Sequence, residues 1–258
     1  MKSATRRVTL FVFAALALAA PLRQTAAQLR FTPDEMKQAR RNPRFFTIDP
    51  ASVTVEKMNP PLPTPAPNPN TPAPAPLPGS PDDPIVFIDR IINLGLKIWG
   101  IIERNRPVVD VTNQYATAVP EGITNPFQLG NWNQPHGEIY EMTAKNVYGM
   151  RVVKVRYQVL RTDGGSYRGQ GKYLANVSVQ PLLVEVLWGY RFNLNAEVLT
   201  VTNAGTAENP LAAMTLVLKW RIATPIKDGQ GAMVYYVRGD GLMREIGMPY
   251  ENLVASTE

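Results

Sequence analysis

Val184-Glu185-Val186-Leu187-Trp188-Gly189-Tyr190-Arg191-Phe192-Asn193-Leu194-Asn195 carries a two-residue period from end to end. Val184, Val186, Trp188, Tyr190, Phe192 and Leu194 fall on one side, and Glu185, Arg191, Asn193 and Asn195 on the other. Successive side chains of an extended chain point to opposite faces, so the stretch reads as one half-buried strand. The same alternation recurs at Leu216, Leu218, Trp220 and Ile222 against Lys219 and Arg221, and at Val153, Val155, Tyr157 and Val159 against Lys154, Arg156 and Gln158. An apolar face backed by a polar one belongs to antiparallel sheets with one wet side.

Turn clusters separate these runs: Asp163-Gly164-Gly165, Asn203-Ala204-Gly205-Thr206, Asn209-Pro210 and Lys227-Asp228-Gly229-Gln230-Gly231. Residues 108–111, 138–144, 172–179 and 232–237 add further strands, seven or more in all, with no helix between them. That layout predicts a mainly β protein whose 107–258 region is an antiparallel β-sandwich, immunoglobulin-like in the broad sense.

Upstream, Asp82-Asp83-Pro84 is a helix-start signal, and residues 85–106 read as an amphipathic helix stopped by Pro107. At a helical pitch Asp89, Asn93, Lys97, Gly100, Arg104, Arg90 and Glu103 share an arc of roughly 140°. The other side holds Ile88, Ile91, Leu94, Ile98, Trp99 and Ile102. Such a face needs cover, from the sandwich that follows, a second copy of the chain, or a bilayer. As a membrane span the segment is poor, because Asp89, Arg90 and Lys97 would enter the hydrocarbon.

Residues 59–84 contain 12 of the chain's 24 prolines. Proline fixes φ and removes the backbone donor, so this reads as a disordered, extended polyproline linker reaching roughly 80 Å, a stalk for the domain beyond it. In residues 28–58 the one strong signal is Thr32-Pro33-Asp34-Glu35, an N-cap, a first-turn proline and a capping-box glutamate, which predicts a short helix ending near Arg41. Residues 1–27 join Lys2, Arg6 and Arg7 to the apolar run 8–20 and to small residues at 17–19 and 25–27, the pattern of a cleaved secretory signal. A periplasmic or secreted location is expected.

Of 258 residues 27 are basic and 21 acidic, and four of the bases, Lys2, Arg6, Arg7 and Arg23, lie in that signal. The remaining near-balance is no footprint for a nucleic acid. The absence of cysteine excludes disulfides, zinc–thiolate sites and thiol nucleophiles, and a single histidine speaks against the usual metal sites. No cofactor is expected. His136 lies in the polar loop Asn131-Trp132-Asn133-Gln134-Pro135-His136-Gly137, where Trp132 is placed either to stack on a sugar ring or to fold over the sandwich end. Glu138 and Glu141 are an odd number of strand positions apart, which sends them to opposite faces and rules them out as a glycosidase pair. Arg238-Gly239-Asp240 reads as turn chemistry rather than an adhesion motif.

Lys172-Tyr173-Leu174-Ala175-Asn176-Val177-Ser178-Val179, Trp188-Gly189-Tyr190 and Asn203-Ala204-Gly205-Thr206-Ala207-Glu208-Asn209-Pro210 give residues 84–240 the look of signal-bearing bacterial envelope proteins with a β-sandwich domain, and the chain resembles that group. The resemblance implies an exported bacterial sandwich and no particular chemistry. The expectation is therefore a non-catalytic binding or structural module of the cell envelope, with Trp132 and His136 as binding candidates and a protein, cell-wall or glycan partner. Two alternatives stand beside it: a membrane-active or self-assembling protein working through 85–104, and a hydrolase with an Asp/Glu site assembled from loops.

Overall fold

The two-residue period of 184–195 is cut by a turn at Gly189. Its φ of +83° is one that L side chains rarely adopt. A Cβ there would stand 2.3 Å from Cε1 of Phe46. The expected single strand is therefore two, β8 (Gln170–Val186) and β9 (Arg191–Asn203), because a two-residue period can run through a tight turn uninterrupted. This computed structural model describes residues 31–58, 85–108 and 114–247. The signal segment 1–27 and the proline-rich 59–84 lie outside the described residues.

The expected β-sandwich is present as two antiparallel six-stranded sheets. The first has the order β1-β6-β7-β8-β5-β2, from β1 (Thr54–Lys57), β6 (His136–Lys145), β7 (Arg151–Tyr167), β8, β5 (Ala116–Glu121) and β2 (Phe87–Ile92). The second has the order β12-β11-β10-β9-β3-β4, from β12 (Met243–Gly247), β11 (Asp228–Arg238), β10 (Ala212–Ala223), β9, β3 (Ile98–Glu103) and β4 (Arg106–Pro107). Tyr157, Val155, Tyr173 and Val177 from one sheet meet Phe192, Leu194, Leu216, Leu218 and Tyr235 from the other in a single buried cluster. Asp163-Gly164-Gly165, expected as a turn, lies inside β7 as an irregularity where the register against β8 shifts. The hairpin reverses further on, at Arg168 and Gly169, both at positive φ.

The expected helix over 85–106 is absent: those residues form β2, a bend and β3, one strand in each sheet. Asn93 makes the bend, its side-chain oxygen accepting from the N–H of Gly95 (3.0 Å) and of Thr117 (2.9 Å). Only glycine fits at 95, where a Cβ would lie 2.2 Å from the Tyr115 carbonyl oxygen. The physical reason is composition: Ile85, Val86, Ile88, Ile91, Ile92, Ile98, Ile101 and Ile102 are β-branched and stiff at χ1, favouring a pleated surface. Trp99 and Ile102 are buried in the sandwich core, and Ile91 packs against it. Ile88 is half-buried on β2, whereas Leu94 in the bend and Ile98 on β3 face outward.

The short helix α1 (Pro33–Arg41) has the expected ends, with Thr32 and Glu35 forming a reciprocal capping box. It is not set apart from the sandwich. Glu35 is bidentate on Arg191 (2.7 and 2.9 Å), the Tyr190 hydroxyl donates to the Phe45 carbonyl, and β1 pairs with β6. A stalk would need its two ends in separate bodies, yet Lys57 on β1 and Phe87 on β2 occupy opposite edges of the same sheet. The proline-rich segment thus connects two edges of one sheet, a correction to the stalk reading.

Candidate functional site

Of the two residues expected to bind, Trp132 sits on the loop entering β6, laid across the irregular part of β7, and His136 is the first residue of β6, opposite Arg161. The bridge between Gly130 and Ser166 starts the loop, and Asn131 follows at φ +60° with its side-chain amide donating to Ser166 Oγ (2.8 Å). Asn133 then donates twice to Asp163, from its backbone N–H to the carbonyl (2.9 Å) and from Nδ2 to Oδ1 (2.6 Å). His136 reaches the other carboxylate oxygen of Asp163 with Nε2 at 3.2 Å, and its Nδ1 faces the Gln134 carbonyl at 3.2 Å. Each ring nitrogen thus lies near an oxygen of the protein, but the Nε2 contact is one of ion-pair distance only, since Asp163 Oδ2 is buried without a hydrogen-bond partner. Trp132 folds inward: its ring covers Gly165, where a Cβ would stand 2.3 Å away, and its Nε1 donates to the Pro126 carbonyl (3.3 Å).

Behind the loop lies a group of charges that the sequence reading did not assemble. Arg161 is only 3% exposed; it donates to the Gly241 carbonyl (2.9 Å) in the β11–β12 turn and stands 3.5 Å from Glu138 and 3.9 Å from Asp163. Glu138 also pairs with Lys57 (2.8 Å) and accepts from the Tyr140 hydroxyl (3.0 Å). Burial opposes its ionisation, but Lys57, Tyr140 and Arg161 together outweigh that and hold its carboxyl below the usual range. Tyr140 stacks on Tyr157 and tilts against Tyr235, and the Tyr157 and Tyr235 hydroxyls are 2.7 Å apart in the core. Glu245 on β12, opposite Tyr235, is the converse of Glu138: its side chain is exposed, and partial desolvation against the neighbouring strand raises its carboxyl above the usual range. The network links β1, β6 and β7 of one sheet to the end of the other. Its sequence signal was slight, Arg161 and Asp163 two apart on a strand.

Glu141 faces away from this group and pairs with Arg156 and Lys154, so the opposite-face expectation for Glu138 and Glu141 agrees with their separate partners. In Arg238-Gly239-Asp240 the two charged side chains are paired with each other, and Gly239 lies where a Cβ would be 2.2 Å from the Lys172 carbonyl oxygen. The tripeptide is a closed turn. Among the described residues no group of three or more His, Asp or Glu side chains is placed to hold a metal ion. Compared with known proteins, the chain matches no protein-family model, no curated protein and no solved structure, and its functional reading rests on its own residues.

Proposed function

We propose that this protein is a non-catalytic, exported binding or structural module of a bacterial cell envelope, taking a protein, cell-wall or glycan partner. One observation carries the reading: the ionisable groups around His136 are engaged with one another across both sheets. His136 has an oxygen 3.2 Å from each nitrogen, Asp163 is held by Asn133 through Oδ1 while its Oδ2 faces His136 and Arg161 at ion-pair distance without a hydrogen bond, and Glu138 is held by Lys57, Tyr140 and Arg161. Groups held this way brace the sandwich and leave its turns for contact. Export is supported by the signal pattern of residues 1–27. The test is incubation of purified protein with peptidoglycan, glycans and peptides. Retention without product is the expected result, and turnover that Glu138→Gln or Glu245→Gln abolishes would overturn the reading. Fractionation of expressing cells checks the compartment separately.

A hydrolase reading has one specific observation in its favour. The Tyr140 hydroxyl donates to Glu138, Glu245 stands opposite Tyr235, whose ring tilts against Tyr140, and of the two carboxyls one is held down and the other up. Carboxyls pushed apart in this way are the usual mark of an acid and a base. The same two variants decide between the readings.

A further inference from the structure

The end of the sandwich away from His136 has a different chemistry. The β6–β7, β8–β9 and β10–β11 turns meet there, since Lys145 pairs with Arg151, Val153 with Val186, and Ala223 with Arg191. Residues 42–47, following α1, are fastened to the same end. The Val147 N–H donates to the Thr47 carbonyl (3.0 Å), Asn146 Nδ2 donates to the Phe45 carbonyl (3.1 Å), and the Phe46 and Trp188 rings are 6.1 Å apart.

Stretches 36–48, 145–152 and 187–191 bring together Lys37, Arg40, Arg41, Arg44, Lys145, Arg151 and Arg191 without a single Asp or Glu. Of the carboxylates beside them, Glu35 is engaged with Arg191, Asp228 with Arg221 and Asp49 with the Ala51 N–H, while Asp34 in the first turn of α1 and Glu185 opposite Lys154 leave the bases still in excess. Glu103 stands next to Arg104 and Arg106 in the β3–β4 turn. Out of this basic surround project Trp188 (52% exposed), Tyr148 (52%), Met150 (46%) and Ile226 (45%). The Trp188 ring meets the buried Phe46 ring edge to face and keeps half its surface outside. Arg44 lies over the Tyr148 ring at 5.4 Å, so the cation and the aromatic share one surface.

We propose that this end is a docking surface for an anionic lipid bilayer. Tryptophan and tyrosine settle at the headgroup level of a membrane, where the ring is shielded and its polar edge stays wet. Arginine and lysine gain roughly fivefold each in affinity beside an anionic leaflet. A soluble polyanion would use the arginines but give Met150 and Ile226 nothing apolar to enter. Phe31, under the Arg191 guanidinium at 4.9 Å, adds a further aromatic ring to this end. The course of the chain agrees with a lipid occupant. Both flanks of residues 59–84 belong to the other end, Lys57 beside Tyr140 and Phe87 beside Glu121. The inference deepens the envelope reading by naming a partner surface; lipid binding is measured without reference to turnover or export, so either reading can fail alone.

The experiment is cosedimentation of the chain from Gln28 onward, with the full chain in parallel, on vesicles of phosphatidylcholine alone and of phosphatidylcholine with an equal part of phosphatidylglycerol. Binding to the anionic vesicles only, weakened by salt and with a blue shift of tryptophan emission, is expected. Arg40→Glu, Arg41→Glu and Arg44→Glu combined should lower the partition coefficient by roughly a hundredfold or more. Trp188→Ser should remove most of the blue shift, since Trp99 and Trp220 are buried already. Arg244→Glu, on exposed β12, should change neither readout. Cooperative thermal unfolding of each variant shows that the fold is kept. Equal binding to neutral vesicles, no binding, or heparin binding with vesicle binding indifferent to Trp188→Ser would each overturn the proposal.

Discussion

Replacing Glu35 by alanine tests whether the N-terminal segment is part of the sandwich. Glu35 is 2% exposed and performs two tasks: it accepts from the Thr32 N–H at 2.7 Å to close the capping box, and it holds Arg191 through both oxygens. Losing the box costs about 1 kcal/mol. Breaking a buried ion pair costs about 3–5 kcal/mol, but Arg191 keeps 21% of its side-chain surface in water and the Phe31 ring beside it, which argues for the lower end or less. A total of about 2–4 kcal/mol follows, worth roughly 4–16 °C in melting temperature for a domain of this size. Guanidinium unfolding followed by tryptophan emission gives the global cost, and hydrogen exchange at residues 54–57 shows whether β1 leaves before the rest. Glu35→Gln, which keeps an acceptor for Thr32 but loses the charge, should fall between Glu35→Ala and the unaltered protein. In a double-mutant cycle with Arg191→Ala the two changes should be strongly non-additive. If Glu35→Ala left both the midpoint and the exchange of 54–57 unchanged, the clasped arrangement of the arm would be wrong.

Gly165→Ala places a methyl about where the Trp132 ring lies, so it should cost about 1–3 kcal/mol and expose the indole, read as a red shift of emission. Tyr157→Phe leaves the Tyr235 hydroxyl without its 2.7 Å partner in the core and should cost about 1–2 kcal/mol in urea unfolding without altering the slope. Glu35, Glu138 and Glu141 all titrate below their ordinary range in the folded protein. Their contribution is therefore complete above the unfolded glutamate value near 4.5 and lost as pH falls through the folded values, which an acid titration of stability should show. Glu245 has the opposite sign: its folded carboxyl is raised, so stability declines as pH rises through it, and Glu245→Gln should be more stable than the unaltered protein at neutral pH.

How far the sequence speaks depends on the range of the interaction. Thr32 and Glu35 are three residues apart, so α1 and its cap are legible without knowing the rest of the fold. The pattern at 216–222 is a period within one strand, and β10 follows it. For 85–102 the apolar residues fit a helical face and two short strands almost equally well, because brief greasy runs satisfy either period. The tie-breakers were the density of isoleucine and the glycine at 95, whose need to approach Tyr115 is created by a strand distant in the chain.

The candidate site divides in the same way. Trp132 and His136 are near neighbours in sequence and could be named from residue type alone. Their inward engagement depends on Asp163 and Gly165, about thirty residues away and brought beneath the loop by the pairing of β6 with β7. The basic, aromatic end depends on three turns and a helix converging.

Residue order by itself determined that the chain forms a wet-faced antiparallel β protein whose residues 33–41 are a capped helix, since side-chain alternation and capping are local physics. Tertiary structure alone decided that the greasy segment 85–102 is split between two sheets and that the proline-rich segment joins two edges of one sheet. It also decided that one end of the molecule is braced by charge while the other exposes tryptophan among arginines. Strand pairing over long separations carries little trace in any short stretch, because the partner that satisfies a backbone or buries a side chain is chosen by the whole fold.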